Sequence, residues 1–129
     1  MDPMRKVLSA SFDEALVQVT EALKTEGFGV LTEIDVKETL KKKLDVDFRR
    51  YKILGACNPP LAKQALDHDL EIGRFLPCNV VVYEDDEHRT VVSAVDPMQT
   101  IAAMGDDPAL KQLAGAVGEK LGRVIAKRA

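Results

Sequence analysis

Two stretches decide how this chain folds: Tyr51-Lys52-Ile53-Leu54-Gly55-Ala56-Cys57-Asn58-Pro59-Pro60 and Leu76-Pro77-Cys78-Asn79-Val80-Val81-Val82. The first reads as a strand running directly into a helix. Asn58 is a good N-cap, and Pro59 falls at the first helical position, where its missing N–H costs nothing. The second reads as a strongly apolar strand that begins once Pro77 has been passed. Both cysteines of the chain lie here, each followed by asparagine. Each Cys-Asn step stands at a junction between a strand and a less regular segment. Such junctions are where binding residues concentrate, because loops on a rigid scaffold carry function. Gly55 sits inside the first strand, which marks a bulge or a close approach by another group.

Outward from these stretches the chain alternates strand and helix. Residues 4–10 read as a short first strand. Ser11 and Glu14 then form a capping box. Phe12, Ala15, Leu16, Val19, Ala22 and Leu23 follow at the spacing of one helical face, and Gly27 supplies the left-handed stop. Residues 28–35 alternate as a half-buried strand, with Phe28, Val30, Thr32 and Ile34 on one side. Asp35 and Glu38 cap a helix over residues 36–44 whose inner stripe is Val36, Leu40 and Leu44. Residues 48–57 form the third strand. The third helix turns Leu61, Ala62, Ala65 and Leu66 inward. Residues 67–75 read as an irregular connection.

The strand over 78–83 returns through a charged loop, 84–89, into a strand over 90–95, an antiparallel hairpin. Asp96-Pro97 opens a short helix with Met98, Ile101 and Met104. Asp107-Pro108 opens the last helix, which runs to about residue 127 with Leu110, Leu113, Ala114, Val117, Leu121, Val124 and Ile125 inward. Gly115, Gly118 and Gly122 recur on one side of it, which suggests that something packs close there. The order β-α-β-α-β-α-β-β-α, ending in a hairpin without crossover helices, predicts an α+β fold. Its sheet is mainly antiparallel with about five strands, and its helices pack on one face.

The totals narrow the function. One domain over residues 1–129 fits this length. With 46% hydrophobic and 30% charged residues, the chain is an ordinary globular one. A net charge of −3 argues against a nucleic-acid partner. No apolar run approaches the roughly 20 residues of a membrane helix. The N-terminus lacks a signal-peptide pattern, so the expected location is the cytoplasm, where two cysteines are thiols rather than a structural bridge.

The two opening stretches resemble the domain of unknown function 302 family, as do Asp96-Pro97 and the run Gly27-Phe28-Gly29-Val30-Leu31-Thr32-Glu33-Ile34-Asp35-Val36. The resemblance covers nearly the whole chain. It implies a small α+β domain with an antiparallel sheet, grouped with folds like that of the TATA-binding protein. It also implies a homodimer, and it brings no established activity. Fold kinship with a DNA-binding protein does not transfer DNA binding.

The candidate site residues are Cys57, Asn58, Cys78, Asn79 and Asp96. Cys57 precedes an Asn-capped helix, whose N–H groups and dipole lower a nearby thiol's pKa. Its bland reading is a small buried hydrophobe. The asparagines and Asp96 also read as caps and turn formers. Were they to converge on Cys57, they would make a polar, thiol-containing pocket for a small molecule or an anion. Two thiolates are too few for a closed zinc site, and neither a metal nor a cofactor is expected. His68 and His88 read as solvated, and Lys41-Lys42-Lys43 as a solvated face. Three functions stay open: a dimeric ligand-binding or sensory module, a thiol-dependent redox or sulfur-handling protein with Cys78 resolving Cys57, and a structural protein acting through its dimer face. Whether the chain is an enzyme is undecided.

Overall fold

Alternating side chains on five strands build one antiparallel sheet, seen in a computed structural model that describes residues 2–127. The strands are β1 (Arg5–Leu8), β2 (Gly29–Asp35), β3 (Tyr51–Cys57), β4 (Cys78–Glu84) and β5 (Thr90–Ala94), ordered β1-β5-β4-β3-β2 across the sheet. The α-helices are α1 (Phe12–Thr25), α2 (Val36–Leu44), α3 (Pro59–His68) and α4 (Pro108–Ala126). The fold is the expected α+β sheet with helices packed against it.

Register decides which residues enter the core. Leu54 faces Val80, and Ala56 faces Cys78, across the β3–β4 pair. Val82 faces Val92 across β4–β5. This parity forms the core face, where Leu54, Ala56, Cys78, Val80, Val82 and Val92 cluster with Phe12, Val19 and Leu23 of α1 and Val117, Leu121 and Val124 of α4. Burying each of the valine, leucine and phenylalanine side chains among them stabilises by roughly 1.5–3 kcal/mol. The Ser11–Glu14 capping box starts α1 as expected. A second, smaller cluster lies beyond the main one: Ala65 of α3, Ile72, Ile101, Ala102, and Leu110 and Ala114 of α4.

The opposite parity is not covered to the same degree. Tyr51 pairs with Tyr83, and their rings stack at 5.1 Å with an interplanar angle of 11°. Ile53 pairs with Val81 on one side and Ile34 on the other. Ile34 remains 48% exposed.

Several local expectations change. Strand β2 carries a register shift between Val30 and Thr32. Leu31 is the extra residue, so the alternation read across 28–35 breaks there, and Leu31 is exposed. Helix α2 buries none of its residues. Its Val36–Leu40–Leu44 stripe therefore borders the molecule rather than entering its core. The connection over 67–75 contains a 3₁₀ helix, Leu70–Phe75. The segment after Asp96 forms two 3₁₀ turns, Pro97–Gln99 and Ile101–Met104, rather than one α-helix.

Candidate functional site

The two Cys-Asn corners meet because β3 and β4 are neighbours. Ala56 is the Cα partner of Cys78, and Cys57 is the next residue along β3. Both cysteines are free thiols and line one cavity of about 20 Å³. Phe28, Ala56, Leu61, Ala62 and Ala65 supply one part of its wall, and Leu76, Ile101, Leu113 and Val117 another. The lining is apolar apart from Asn58 and the two thiols, whereas a polar pocket was expected. Its volume is about that of one water molecule. The cavity lies on the seam between the two hydrophobic clusters. Phe28, Ala56, Cys78 and Val117 belong to the main cluster, and Ala65 and Ile101 to the smaller one.

The two thiols differ. Cys78 is buried. Its thiol is pushed up to about 11, by burial first and then by the neighbouring Cys57. At neutral pH it is an inert, protonated small hydrophobe. Cys57 is the last residue of its strand and is partly exposed, so it is the reachable sulfur.

The asparagines separate. Asn58 is buried and caps α3: its Oδ1 accepts from the Leu61 N–H at 3.4 Å, while its Nδ2 donates to the Glu26 carbonyl at 3.2 Å. Its amide is thus held by backbone on both sides. Asn79 lies on the exposed parity of β4, opposite Gly55, and its carbonyl accepts from Val95 N–H. Asp96 caps the turn at Pro97–Gln99 through the Met98 N–H at 3.0 Å. Cys57, Asn58 and Cys78 therefore come together at the cavity, while Asn79 and Asp96 are not among its lining residues.

Gly55 explains the shape of this corner. A Cβ there would press against Thr32 Oγ1 and would stand 2.7 Å from Pro77 Cγ. Side chains from β2 and from the residue before β4 thus occupy the space that a side chain on β3 would take. The Leu76–Pro77 peptide bond is cis.

Glu26, which the sequence did not single out, braces the same corner. Its backbone carbonyl holds Asn58, and its carboxylate accepts from Arg123 Nε at 3.0 Å and Lys127 Nζ at 3.1 Å. Those two partners hold the carboxyl below the usual carboxylate range. Leu61, Ala62, Ala65, Leu113 and Val117 were read only as helix stripes. That reading was correct for packing and silent about a cavity.

His68 is not simply solvated: its Nε2 contacts Asp107 Oδ2, joining the end of α3 to the N-cap of α4. Lys41 and Lys42 pair with Asp45 and Glu38, as a solvated face would. Among the described residues, no group of three or more His, Cys, Asp or Glu is placed to hold a metal ion. No helix there is long and apolar enough to cross a membrane.

A family model described as "Domain of unknown function DUF302" matches residues 4–127. The crystal structure of an uncharacterized conserved protein DUF302 from Bacillus stearothermophilus is similar to this chain at a TM-score of 0.89 and 34% identity, covering 97% of this chain and 96% of that one. No curated protein matches.

Proposed function

The chain belongs to the DUF302 family, whose description assigns no activity, and we propose from its geometry that it is a dimeric ligand-binding or sensory module whose site is the cavity of Cys57 and Cys78. The observation that carries this reading is the place of that cavity. It collects both thiols on the seam between two separately packed clusters. A seam walled partly by short 3₁₀ segments opens at lower cost than a single continuous core, because local opening draws on the least stable units of a fold. Its apolar lining favours an apolar or thiophilic group over a charged one. As it stands the cavity is water-sized, so a ligand enters only when part of its wall moves.

The redox alternative draws less support. A resolving thiol must ionise to attack, and burial holds Cys78 near 11. In addition, Cys57 has the opposite strand parity to Ala56, the partner of Cys78, so a bridge would need the end of β3 to turn.

Fragment screening by methyl NMR tests the proposal. Binding should shift Ala62, Ala65, Leu113 and Val117 together. Hits that gather elsewhere, or no hits at all, overturn it. For the dimer, the favoured surface is the less covered sheet face, where Ile34 is 48% and Val7 37% exposed beside Ile53 and Val81. Sedimentation should show two copies, and Val81→Arg should give one. A wild-type monomer at micromolar concentration refutes this part.

A further inference from the structure

The thiol cavity shares part of its wall with the surface. Leu61 of α3 and Leu113 of α4 line it and also line a groove of about 460 Å³ between those two helices. Gln64, His68, Ala109, Gln112 and Ala116 complete that groove. Its volume falls within the roughly 300–1,000 Å³ of small-molecule sites.

The groove carries no uncommitted charge in its lining. His68, its one titratable residue, is held by Asp107. Of the neighbouring charges, Lys63 pairs with Asp67 and Lys111 with Asp106, while Glu119 and Lys120, one turn past Ala116, stand outside the lining. Asp69 caps the next turn through the Glu71 N–H. Within the lining itself an anion would find no free cation, and a cation no free carboxylate. What remains is two carboxamides, Gln64 and Gln112, above an aliphatic floor. Carboxamides offer both donors and acceptors to a neutral polar group.

We propose that this groove is the outer compartment of the thiol site, and that Leu61 and Leu113 form the movable wall between the two. The ligand is an uncharged small molecule with an apolar body and a hydrogen-bonding head that meets Gln64 and Gln112. The inference rests on the cavity being the ligand site. Both leucines are only half-buried, and rotamer changes in accessible side chains take picoseconds to nanoseconds. Swinging two side chains disturbs less than separating two helices. Helix α3 is also lightly anchored, with Ala65 its one buried residue.

Labelling of Cys57 in the full chain by N-ethylmaleimide, an uncharged apolar imide, tests the route. Leu113→Ala removes half of the wall and should speed labelling about tenfold, equal to about 1.4 kcal/mol of barrier. Leu61→Val, a milder change, should act in the same direction by a smaller factor. Ala109→Trp, at an exposed groove position, should plug the groove and slow labelling about as much. Labelling unchanged by the plug, or by both wall variants, overturns the route through the groove. That failure is separable from failure of the site itself, which the Ala62 and Ala65 methyl shifts report independently. A negatively charged methanethiosulfonate that labels as fast as an uncharged one, at equal intrinsic reactivity, overturns the ligand class.

Discussion

Gly55 shows how one residue can set the geometry of a corner. Thr32 and Pro77 fill the place of its missing side chain, and the rigid proline ring gives way poorly. Gly55→Ala is expected to lower stability by about 1–3 kcal/mol, the range for an overpacked site. The double change with Thr32→Ala should recover part of that loss, with urea unfolding as the measure. The glycine was legible in the sequence as a bulge or a close approach, and both lie beside it; its neighbours were not legible, because nothing in the chain order brings residues 32 and 77 to residue 55. The same limit applies to the candidate site. The Cys-Asn steps marked the corners, but strand register decided that Cys78 turns inward and Asn79 outward.

Cys78 gives a second test at this scale. Its thiol rises from 9.0 to about 11 on folding, so the folded state favours the protonated form. The associated stability is present below pH 9 and lost as pH climbs through about 11. Two units correspond to about 3 kcal/mol. Cys78→Ala lowers stability at pH 7 by leaving a cavity, yet its stability should fall less than the wild type's between pH 8 and 11.

At the scale of elements, helices with caps were the most legible and edges the least. Ser11–Glu14, Asn58 and Asp107 each start a helix in the way their sequence announces, because a cap is a local interaction. The break in β2 at Leu31 carries no local signal, since a bulge is a property of the paired strands. The glycines of α4 were equally ambiguous. Among the described residues, a Cβ added at Gly118 would lie 3.7 Å from both Asp96 Oδ1 and Pro97 Cδ, whereas one at Gly115 or Gly122 would meet nothing within 4 Å. Gly115→Ala and Gly122→Ala should therefore each raise stability by about 0.5–1 kcal/mol through helix propensity alone. Thermal unfolding checks it. A loss instead, or a change in sedimentation, would mean that a second copy rests on α4 rather than on the sheet face.

At the scale of the molecule, Glu26 is where remote segments are tied together. It follows α1, holds the Asn58 side chain at the head of α3, and accepts from Arg123 and Lys127 near the end of α4. Three helices, of which α3 and α4 line the thiol cavity, thus share one residue. The carboxyl is held below its ordinary value by the Arg123 and Lys127 hydrogen bonds, with burial opposing them. A depressed carboxyl contributes stability above its unfolded value of 4.5 and loses it as pH falls through the folded value. Glu26→Gln should therefore lower the urea midpoint at pH 7, and the gap to the wild type should shrink as the pH drops below 4.5. If α3 is positioned through this residue, the same variant should also hasten Cys57 labelling at neutral pH. That follows only if the Glu26 backbone carbonyl shifts and loosens the Asn58 cap when its carboxylate no longer anchors α4. A variant with a lowered midpoint and unchanged labelling would confine Glu26 to joining α1 with α4.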